Sequence, residues 1–450
     1  MGLTSAFKPC DVRGPYPEVV NERLFRGIGA AFAGQYPQGS IVVLAGDLRA
    51  STPALLEAVW EGLSCPWATV LHPAATPIAY FVARELGADL TLVVTASHNP
   101  PVYNGLKILG RQGRPPSESD LRDLEARAMA LLDRPVVRSG PPPVAPLAPW
   151  LDRYCQAVVG LSGEGDALRV VVDPGNGCLC GVAAAALRQA GHQVVEINGG
   201  PDGGFPARGA DPTVDGALAQ LAAEVAKAGA QLGVAFDGDG DRVVFVDEAG
   251  SVVPGDVAAA LLALESSGRS PGAPVILDVR ASRRLAAALE ARGARVVWSY
   301  PGHALIRAQL LEHGAAFGGE ISGHYFFAEL GGDDGLYAAM RICRLVAREG
   351  PLSRLAADLP RGYTLTELRL PFVGAVDRVL EALVEAFPDA GAQRQPAGLT
   401  LEWEGQWVLV RPSITEPLLT IRGESSSEEG LLELTCRLDG VLRRFGLRLT

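Results

Sequence analysis

The sequence predicts an α/β protein built from three related units, followed by a smaller C-terminal α+β domain. Three observations carry this. Continuous apolar runs of strand length alternate with amphipathic helical patterns, as expected for mostly parallel sheet buried on both faces. The alternation repeats three times along the chain. The last ~85 residues change periodicity and read as short strands around two helices.

In the first unit, Ile41–Asp47 is a strand run, Thr52–Leu63 a helical pattern and Thr69–His72 a second short run. The second unit begins with the strand Val170–Asp173, continues into an alanine-rich helix reaching Ala190, and adds the strand Gln193–Ile197. The third opens on Pro274–Asp278, followed by a helix over Ser282–Arg292 and a strand over Arg295–Trp298. Each unit then has a further strand that runs into a polar, glycine- or proline-bearing loop: Leu90–Val94 into TASHNP, Leu232–Phe236 into DGDGDR, and Ala315–Phe317 into GGEISGHY. Ligands of open α/β sheets bind at the carboxyl ends of strands, so three such loops predict one shared site.

A helix ends near Ala347, and the final domain shows a helix over Ala375–Ala386, strands within Leu399–Val410 and Leu418–Gly423, and a closing helix. Breaks at Pro141–Pro149, Val253–Gly255 and Leu359–Thr366 place the domains at 1–149, 150–252, 253–360 and 361–450.

Composition narrows the function. Lys+Arg 40 against Asp+Glu 51 leaves a net charge of −11, which argues against nucleic acid as a main partner. A small phosphorylated ligand held by a few local arginines remains open. The seven cysteines are odd in number and lack zinc spacing, and Cys178 and Cys180 read as small buried residues near a turn. With no basic–apolar leader and no bilayer-length apolar run, the expectation is a reduced, cytoplasmic protein without membrane contact. Basic residues are nearly all arginine; the lysines are Lys8, Lys107 and Lys227.

The loops carry the chemistry. In DGDGDR, Asp237, Asp239 and Asp241 alternate with glycines, a spacing that lets three carboxylates face one hard cation. An EF-hand is disfavoured, because its sixth position is Arg242 rather than glycine and both flanks read as strands; a structural acidic turn is the plain alternative. Ser97 lies at a strand end, followed by His98, Asn99 and two stiffening prolines. It suits a nucleophile, or a simple turn or cap residue. Lys107 lies just downstream, a candidate phosphate contact or proton donor. Glu320, Ser322 and His324 combine carboxylate, hydroxyl and imidazole, suited to sugar hydroxyls or to a capped turn. RPSITEPLLTIRGES, from Arg411 to Ser425, brings Arg411, Ser413, Thr415 and Arg422 around a proline-stiffened turn, a phosphate-binding composition. Arg13 adds a positive group near the N-terminus.

Taken together, TASHNP with HNPPVYNGLK, DGDGDR, GEISGH and RPSITEP, in this order over nearly the whole chain, resemble the α-D-phosphohexomutase superfamily, especially its bacterial phosphomannomutase/phosphoglucomutase branch. The resemblance implies three related mixed-sheet α/β domains of phosphohexomutase type and a small mobile C-terminal lid. It implies that Ser97 carries a phosphoryl group, with Mg²⁺ held by that phosphate and by Asp237, Asp239 and Asp241. A hexose 1-phosphate would be converted to its 6-phosphate through a bound hexose 1,6-bisphosphate. By the same resemblance Arg13, Lys107, His303 and His324 lie near the reacting oxygens, with Lys107 or His324 as proton shuttle. Arg242 would absorb charge at the Ser97 end, Arg411, Ser413 and Thr415 would hold the phosphate that is not reacting, and His98 and Arg280 are further substrate-binding residues. Glu320 and Ser322 would read the sugar's 3- and 4-hydroxyls, where glucose and mannose are identical, so dual specificity is expected. Phosphosugars are the expected partners, and the protein a monomer or homodimer.

Several positions depart from the family's pattern. Cys10 replaces the usual tyrosine and Arg280 a common lysine, SYPGH (Ser299–His303) lacks the usual lysine and threonine, and Ile414 replaces glycine or asparagine. The rivals are a phosphoglucosamine mutase, a metal-dependent sugar-phosphate phosphatase and an inactive sugar-phosphate sensor.

Overall fold

The computed structural model describes residues 6–36, 39–64, 68–133, 141–163, 165–395, 398–412 and 417–449. It divides into two compact units, Met1–Leu277 with Gly293–Asp358, and Asp278–Arg292 with Leu359–Thr450. The first unit contains three sheets and the second one.

The three sheets share a plan that explains where their loops fall. In the first, Val42–Gly46 pairs in parallel with Thr69–Leu71 and Leu90–Val94. Tyr103–Leu109 then returns antiparallel to Leu90–Val94, and Val12–Pro15 pairs antiparallel with it. The second sets Arg169–Asp173 parallel to Gln193–Glu196 and Leu232–Phe236, with Val243–Asp247 returning antiparallel. The third likewise has Pro274–Asp278 parallel to Phe317–Gly319, then antiparallel Tyr325–Phe327 and Gly332–Asp333. In every case the last parallel strand turns back on itself, and the reversal is TASHNP, DGDGDR or EISGH. The sheets are therefore mixed. The expected strand Ala315–Phe317 is shifted to Phe317–Gly319.

Four parallel strands, Val42–Gly46, Leu90–Val94, Leu232–Phe236 and Pro274–Asp278, are buried along their whole length, as expected of strands covered on both faces, whereas the edge strand Gln193–Glu196 is not. Helix bounds follow local chemistry. Thr52–Leu63 has proline in its first turn and ends on Ser64 in a left-handed conformation. Asn21 and Asp334 cap the helices Glu22–Ala33 and Gly335–Glu349 by accepting a backbone N–H.

The second unit is an antiparallel sheet in the order Tyr363–Pro371, Leu418–Ser425, Gln406–Pro412, Gly398–Trp403, Gly391–Gln395, with the helices Val376–Ala386 and Glu428–Leu442. It also takes in the helix Arg283–Glu290. The buried Glu424 carboxylate explains that membership: it accepts the Ser282 hydroxyl at 2.6 Å, the Arg283 N–H at 3.1 Å and the Trp407 indole N–H at 2.8 Å. The Arg283 guanidinium sits 4.7 Å over the Trp407 ring.

One cap predicts a pH effect. Asp334 is buried and accepts Tyr154 Oη–H and the Tyr337 N–H, and burial pushes its carboxyl up from 3.8 to about 7. The folded chain then holds a proton that the unfolded chain releases. The stability this group contributes is full below about pH 4 and is lost as pH rises through about 7. Asp334→Asn keeps the cap without the charge. Its melting temperature is expected to exceed wild type by about 3 °C or more at pH 8, the gain vanishing near pH 4. Calorimetry at the two pH values checks this; an equal difference at both would refute it.

Candidate active site

Within the first unit the three loops converge. Ser97 follows the strand Leu90–Val94 in a left-handed conformation, φ 50°. Its hydroxyl is buried and donates to Asp237 Oδ2 at 2.7 Å, and its N–H donates to Thr95 Oγ1 at 2.9 Å. DGDGDR lies across from it. Gly240 has φ +80°, and a Cβ on Gly238 would come within 2.9 Å of the Ser97 carbonyl oxygen, so the tight acidic turn requires both glycines.

The three aspartates are buried, with carboxylate oxygens within 4.8 Å of one another. Their environments differ. Asp237 Oδ1 accepts the N–H groups of Gly240 and Arg242; burial, then Asp241 and Asp239, raise this carboxyl well above its ordinary range. Asp239 Oδ2 accepts Thr76 Oγ1–H at 2.6 Å and Lys107 Nζ at 3.0 Å. Burial alone would raise Asp239, but Lys107 and the hydroxyl donors hold it well below the ordinary range. Lys107 also pairs with Asp241 Oδ2. Burial opposes its charge, yet Asp239 and Asp241 keep the ammonium protonated well above the usual lysine range.

Lys107 thus takes one oxygen of each carboxylate. The other oxygens, Asp239 Oδ1 and Asp241 Oδ1, are buried and make no hydrogen bond among the described residues, His324 Nδ1 standing 3.6 Å from Asp241 Oδ1. Two buried anionic oxygens without donors, beside Asp237, are what a hard divalent cation needs. The donor set fits such an ion.

The sugar-loop candidates adjoin this centre. Arg242 and His324 face each other across an antiparallel bridge, and Arg242 Nε donates to His324 Nε2 at 2.8 Å. Because Nε2 accepts, Nδ1 carries the proton and donates to Asp333 Oδ2 at 3.0 Å. His303 opens the helix His303–His313, its ring 6.4 Å from that of His324. His303 and His98 are both held well below the ordinary histidine range, by burial first, with Lys107 adding at His303 and Arg242 at His98. Glu320 is buried, its Oε1 accepting the Gly302 N–H at 3.1 Å and its Oε2 the Ser322 hydroxyl at 3.0 Å. Arg13 donates to Asn99 Oδ1 at 3.0 Å and pairs with Asp11. Cys10 lies against the same loop, 3.0 Å from where a Gly302 Cβ would stand. Burial, then Asp11 and Glu320, push its thiol up to about 12.

Ser97, His98, Lys107, the three aspartates, Arg242, His303, Glu320, Ser322, His324 and Arg13 all belong to the first unit. The second unit carries Arg280 and Arg411. Arg280 pairs with Asp278 and lies 3.8 Å from Glu367. Arg411 faces Thr420 across the sheet, and its buried Nε makes no hydrogen bond among the described residues. Burial, then Arg280, lower its guanidinium. Ser413, Ile414 and Thr415 lie outside the described residues, as does Cys65. The motifs do not single out Asp47, Arg49, Thr76, Thr95 or Asp333. For Asp47 the signal is its place at the carboxyl end of a parallel strand, like the three loops; for Arg49 it is a basic residue two positions beyond.

Three family models match consecutive stretches: phosphoglucomutase/phosphomannomutase, alpha/beta/alpha domain I over residues 4–133, domain II over 152–250 and domain III over 254–363. The chain is 33% identical over 444 residues to a phosphomannomutase/phosphoglucomutase of Pseudomonas putida, covering 95% of this chain and 93% of that protein. It is 35% identical over 432 residues to a phosphoglucosamine mutase of Moorella thermoacetica, covering 93% and 94%. Among solved structures, a phosphoglucomutase/phosphomannomutase family protein from Burkholderia thailandensis superposes with TM-score 0.87 at 31% identity, covering 99% of this chain and 98% of that one.

Proposed function

Because this chain belongs to the phosphoglucomutase/phosphomannomutase family of α-D-phosphohexomutases, we propose that it interconverts hexose 1-phosphates and hexose 6-phosphates of mannose, glucose or both. The route runs through a phosphoserine at Ser97 and a bound 1,6-bisphosphate. The observation that carries this reading is the Ser97 hydroxyl held 2.7 Å from Asp237, beside two buried carboxylate oxygens without donors. The metal is assigned to Asp237, Asp239 and Asp241, with Mg²⁺ the ion of choice; when bound it supplies neutralisation of phosphate charge.

The chain's own residues do the rest. A sugar hydroxyl oxygen attacks the phosphorus on Ser97, the P–O bond to Ser97 breaks, the sugar gains the phosphoryl group and loses its hydroxyl proton, and the departing Ser97 Oγ takes up one proton in return. Lys107 is locked as a cation between Asp239 and Asp241, so it serves as a fixed charge and a donor. Of the two proton-shuttle candidates, His324 is the one with a lone pair, on Nε2, which accepts the Arg242 Nε–H and is freed for a proton when Arg242 turns to the phosphate; Asp333 orients its ring. Arg242 shares that Nε2 and adds positive charge near Ser97. The bisphosphate then turns over and returns its other phosphoryl group to Ser97. Arg411, with Arg280, Ser413 and Thr415, is assigned to the phosphate that is not reacting. The four domains are assigned the bounds 1–149, 150–252, 253–360 and 361–450, and the protein is assigned to the cytoplasm. Among the described residues no helix is long and apolar enough to cross a membrane.

The test is ³¹P NMR of the purified protein with Mg²⁺, trace hexose 1,6-bisphosphate, and glucose, mannose and glucosamine 1-phosphates in separate tubes. Growth of a 6-phosphate resonance is expected with mannose or glucose. Turnover fastest with glucosamine phosphate would move the protein to the branch of the Moorella relative. Release of inorganic phosphate alone would make it a phosphatase, and no change in any tube a sensor.

The sugar loop makes a second prediction. Both Glu320 oxygens accept hydrogen bonds, and glutamine keeps one acceptor and loses the charge. Glu320→Gln is expected to raise KM about tenfold, equally for glucose and mannose 1-phosphates, since the hydroxyls assigned to this loop are common to both. Steady-state kinetics check it; a change confined to one sugar would refute that assignment.

A further inference from the structure

We propose that Arg49 is a positioning residue for Ser97, a clamp that fixes the backbone of the serine loop from behind while the serine gains and loses its phosphoryl group. The proposal rests on the mutase reading above. Arg49 is 1% exposed, an unusual place for a guanidinium. It touches no other residue assigned to bind substrate or metal except through the loop itself.

Its five N–H donors are matched by five acceptors. Nε donates to Asp47 Oδ2 at 3.0 Å. Nη1 donates to the carbonyl oxygens of Pro100 at 2.6 Å and Tyr103 at 3.0 Å. Nη2 donates to those of Ser97 at 2.7 Å and Asn99 at 2.6 Å. One planar group therefore gathers four carbonyls of a loop only seven residues long (Ser97 to Tyr103). The Phe205 ring backs the guanidinium at 5.2 Å.

The clamp has an anchor. The other Asp47 oxygen, Oδ1, accepts the Thr52 hydroxyl at 2.7 Å and the Arg49 N–H at 3.0 Å. Thr95 Oγ1 lies 2.8 Å from Asp47 Oδ2 and 3.1 Å from Asp239 Oδ2. Thr95 also accepts the Ser97 N–H. Asp47 and Arg49 thus hold the serine loop, and Thr95 links that anchor to the acidic loop.

The chemistry gives this arrangement a purpose. A phosphoserine carries about −2 charge near neutral pH and a free serine none. A loop held only through the phosphate would shift whenever the group left. Contacts to backbone carbonyls are the same in both states. They also hold Ser97 in a left-handed conformation that is uncommon for a residue with a side chain. Lysine cannot replace the fork: three donors on one nitrogen cannot reach four carbonyls and a carboxylate.

Arg49→Lys keeps the charge opposite Asp47 and removes the fork. Its kcat, per folded enzyme, is expected to fall about 100-fold, with KM for hexose 1-phosphate within about threefold of wild type. Single-turnover phosphorylation of Ser97 by hexose 1,6-bisphosphate, followed by intact mass, should slow by the same factor. Should the lysine variant not fold, Asp47→Asn combined with Arg49→Gln removes both buried charges together, and the same loss of kcat is expected. If wild type turns over and the folded variant keeps kcat and phosphorylation rate within about threefold, the clamp is refuted and the mutase reading stands. If wild type itself shows no mutase turnover, the mutase reading fails and the clamp's catalytic role goes with it. A fall in melting temperature without a fall in kcat would reduce Arg49 to a structural residue and overturn the proposal.

Discussion

Ser97→Ala is expected to abolish mutase turnover, by about four orders of magnitude or more. Among the described residues the neighbouring hydroxyls are already engaged. Thr95 Oγ1 accepts the Ser97 N–H and lies between Asp47 and Asp239, and Thr76 donates to Asp239; both are committed to holding carboxylates. The alanine variant loses the hydrogen bond to Asp237 Oδ2 and a longer contact, 3.4 Å, to His98 Nδ1, and the Arg49 contacts to the loop carbonyls remain. Folding should therefore be close to normal. The decisive measurements are steady-state turnover and the intact mass after incubation with hexose 1,6-bisphosphate. Wild type should gain one phosphoryl group and the variant none. A variant that still turns over, or that becomes phosphorylated at another residue, would remove Ser97 from the mechanism.

Asp239→Asn is the second large effect, and here the two oxygens of one carboxylate separate structure from catalysis. Oδ2 accepts hydrogen bonds from Thr76 and Lys107, whereas Oδ1 is buried without a partner. An asparagine placing its carbonyl oxygen at the Oδ2 position keeps those contacts. Its amide NH₂ then occupies the Oδ1 position and presents protons where a cation would bind. Metal-dependent turnover is expected to fall about 10³-fold or more, roughly the worth of several kcal/mol of charge stabilisation. Lys107 keeps Asp241 as its partner, so stability measured with a chelator present should change little. Sugar-phosphate binding should persist within a few-fold. Turnover, a Mg²⁺ titration and a calorimetric affinity for hexose 1-phosphate separate these outcomes. Near-normal turnover with Mg²⁺ would refute the metal assignment.

Much of this molecule was legible in the residues. The βαβ alternation places the three repeats, because strands buried on both faces must be continuously apolar, and Val42–Gly46, Leu90–Val94 and Leu232–Phe236 are. Ser97, the alternating aspartates and the EISGH loop were readable because their chemistry is local: a glycine-spaced acidic turn, a rigid serine loop and three polar groups around glycines. The helix Thr52–Leu63 has the bounds its pattern predicts.

Tertiary structure alone decided what those groups are committed to. Lys107 and Asp239 are 132 positions apart, Ser97 and Asp237 are 140 apart, and His324 meets Arg242 across 82; no local pattern encodes such pairings. Lys107 consequently changes from a free lysine into a fixed charge, and His324 becomes the member of the pair with a lone pair to offer. Arg49 has no local signature for the same reason, since backbone carbonyls carry no side-chain pattern and its four carbonyl acceptors begin 48 residues away. The helix Arg283–Glu290 reads as part of the third repeat, yet a single buried carboxylate at Glu424 binds it into the second unit. The sequence by itself determined which chemical groups are present and the strand ends that carry them. The burial and pairing of those groups, on which their charge and their role depend, came only with the packing of distant segments.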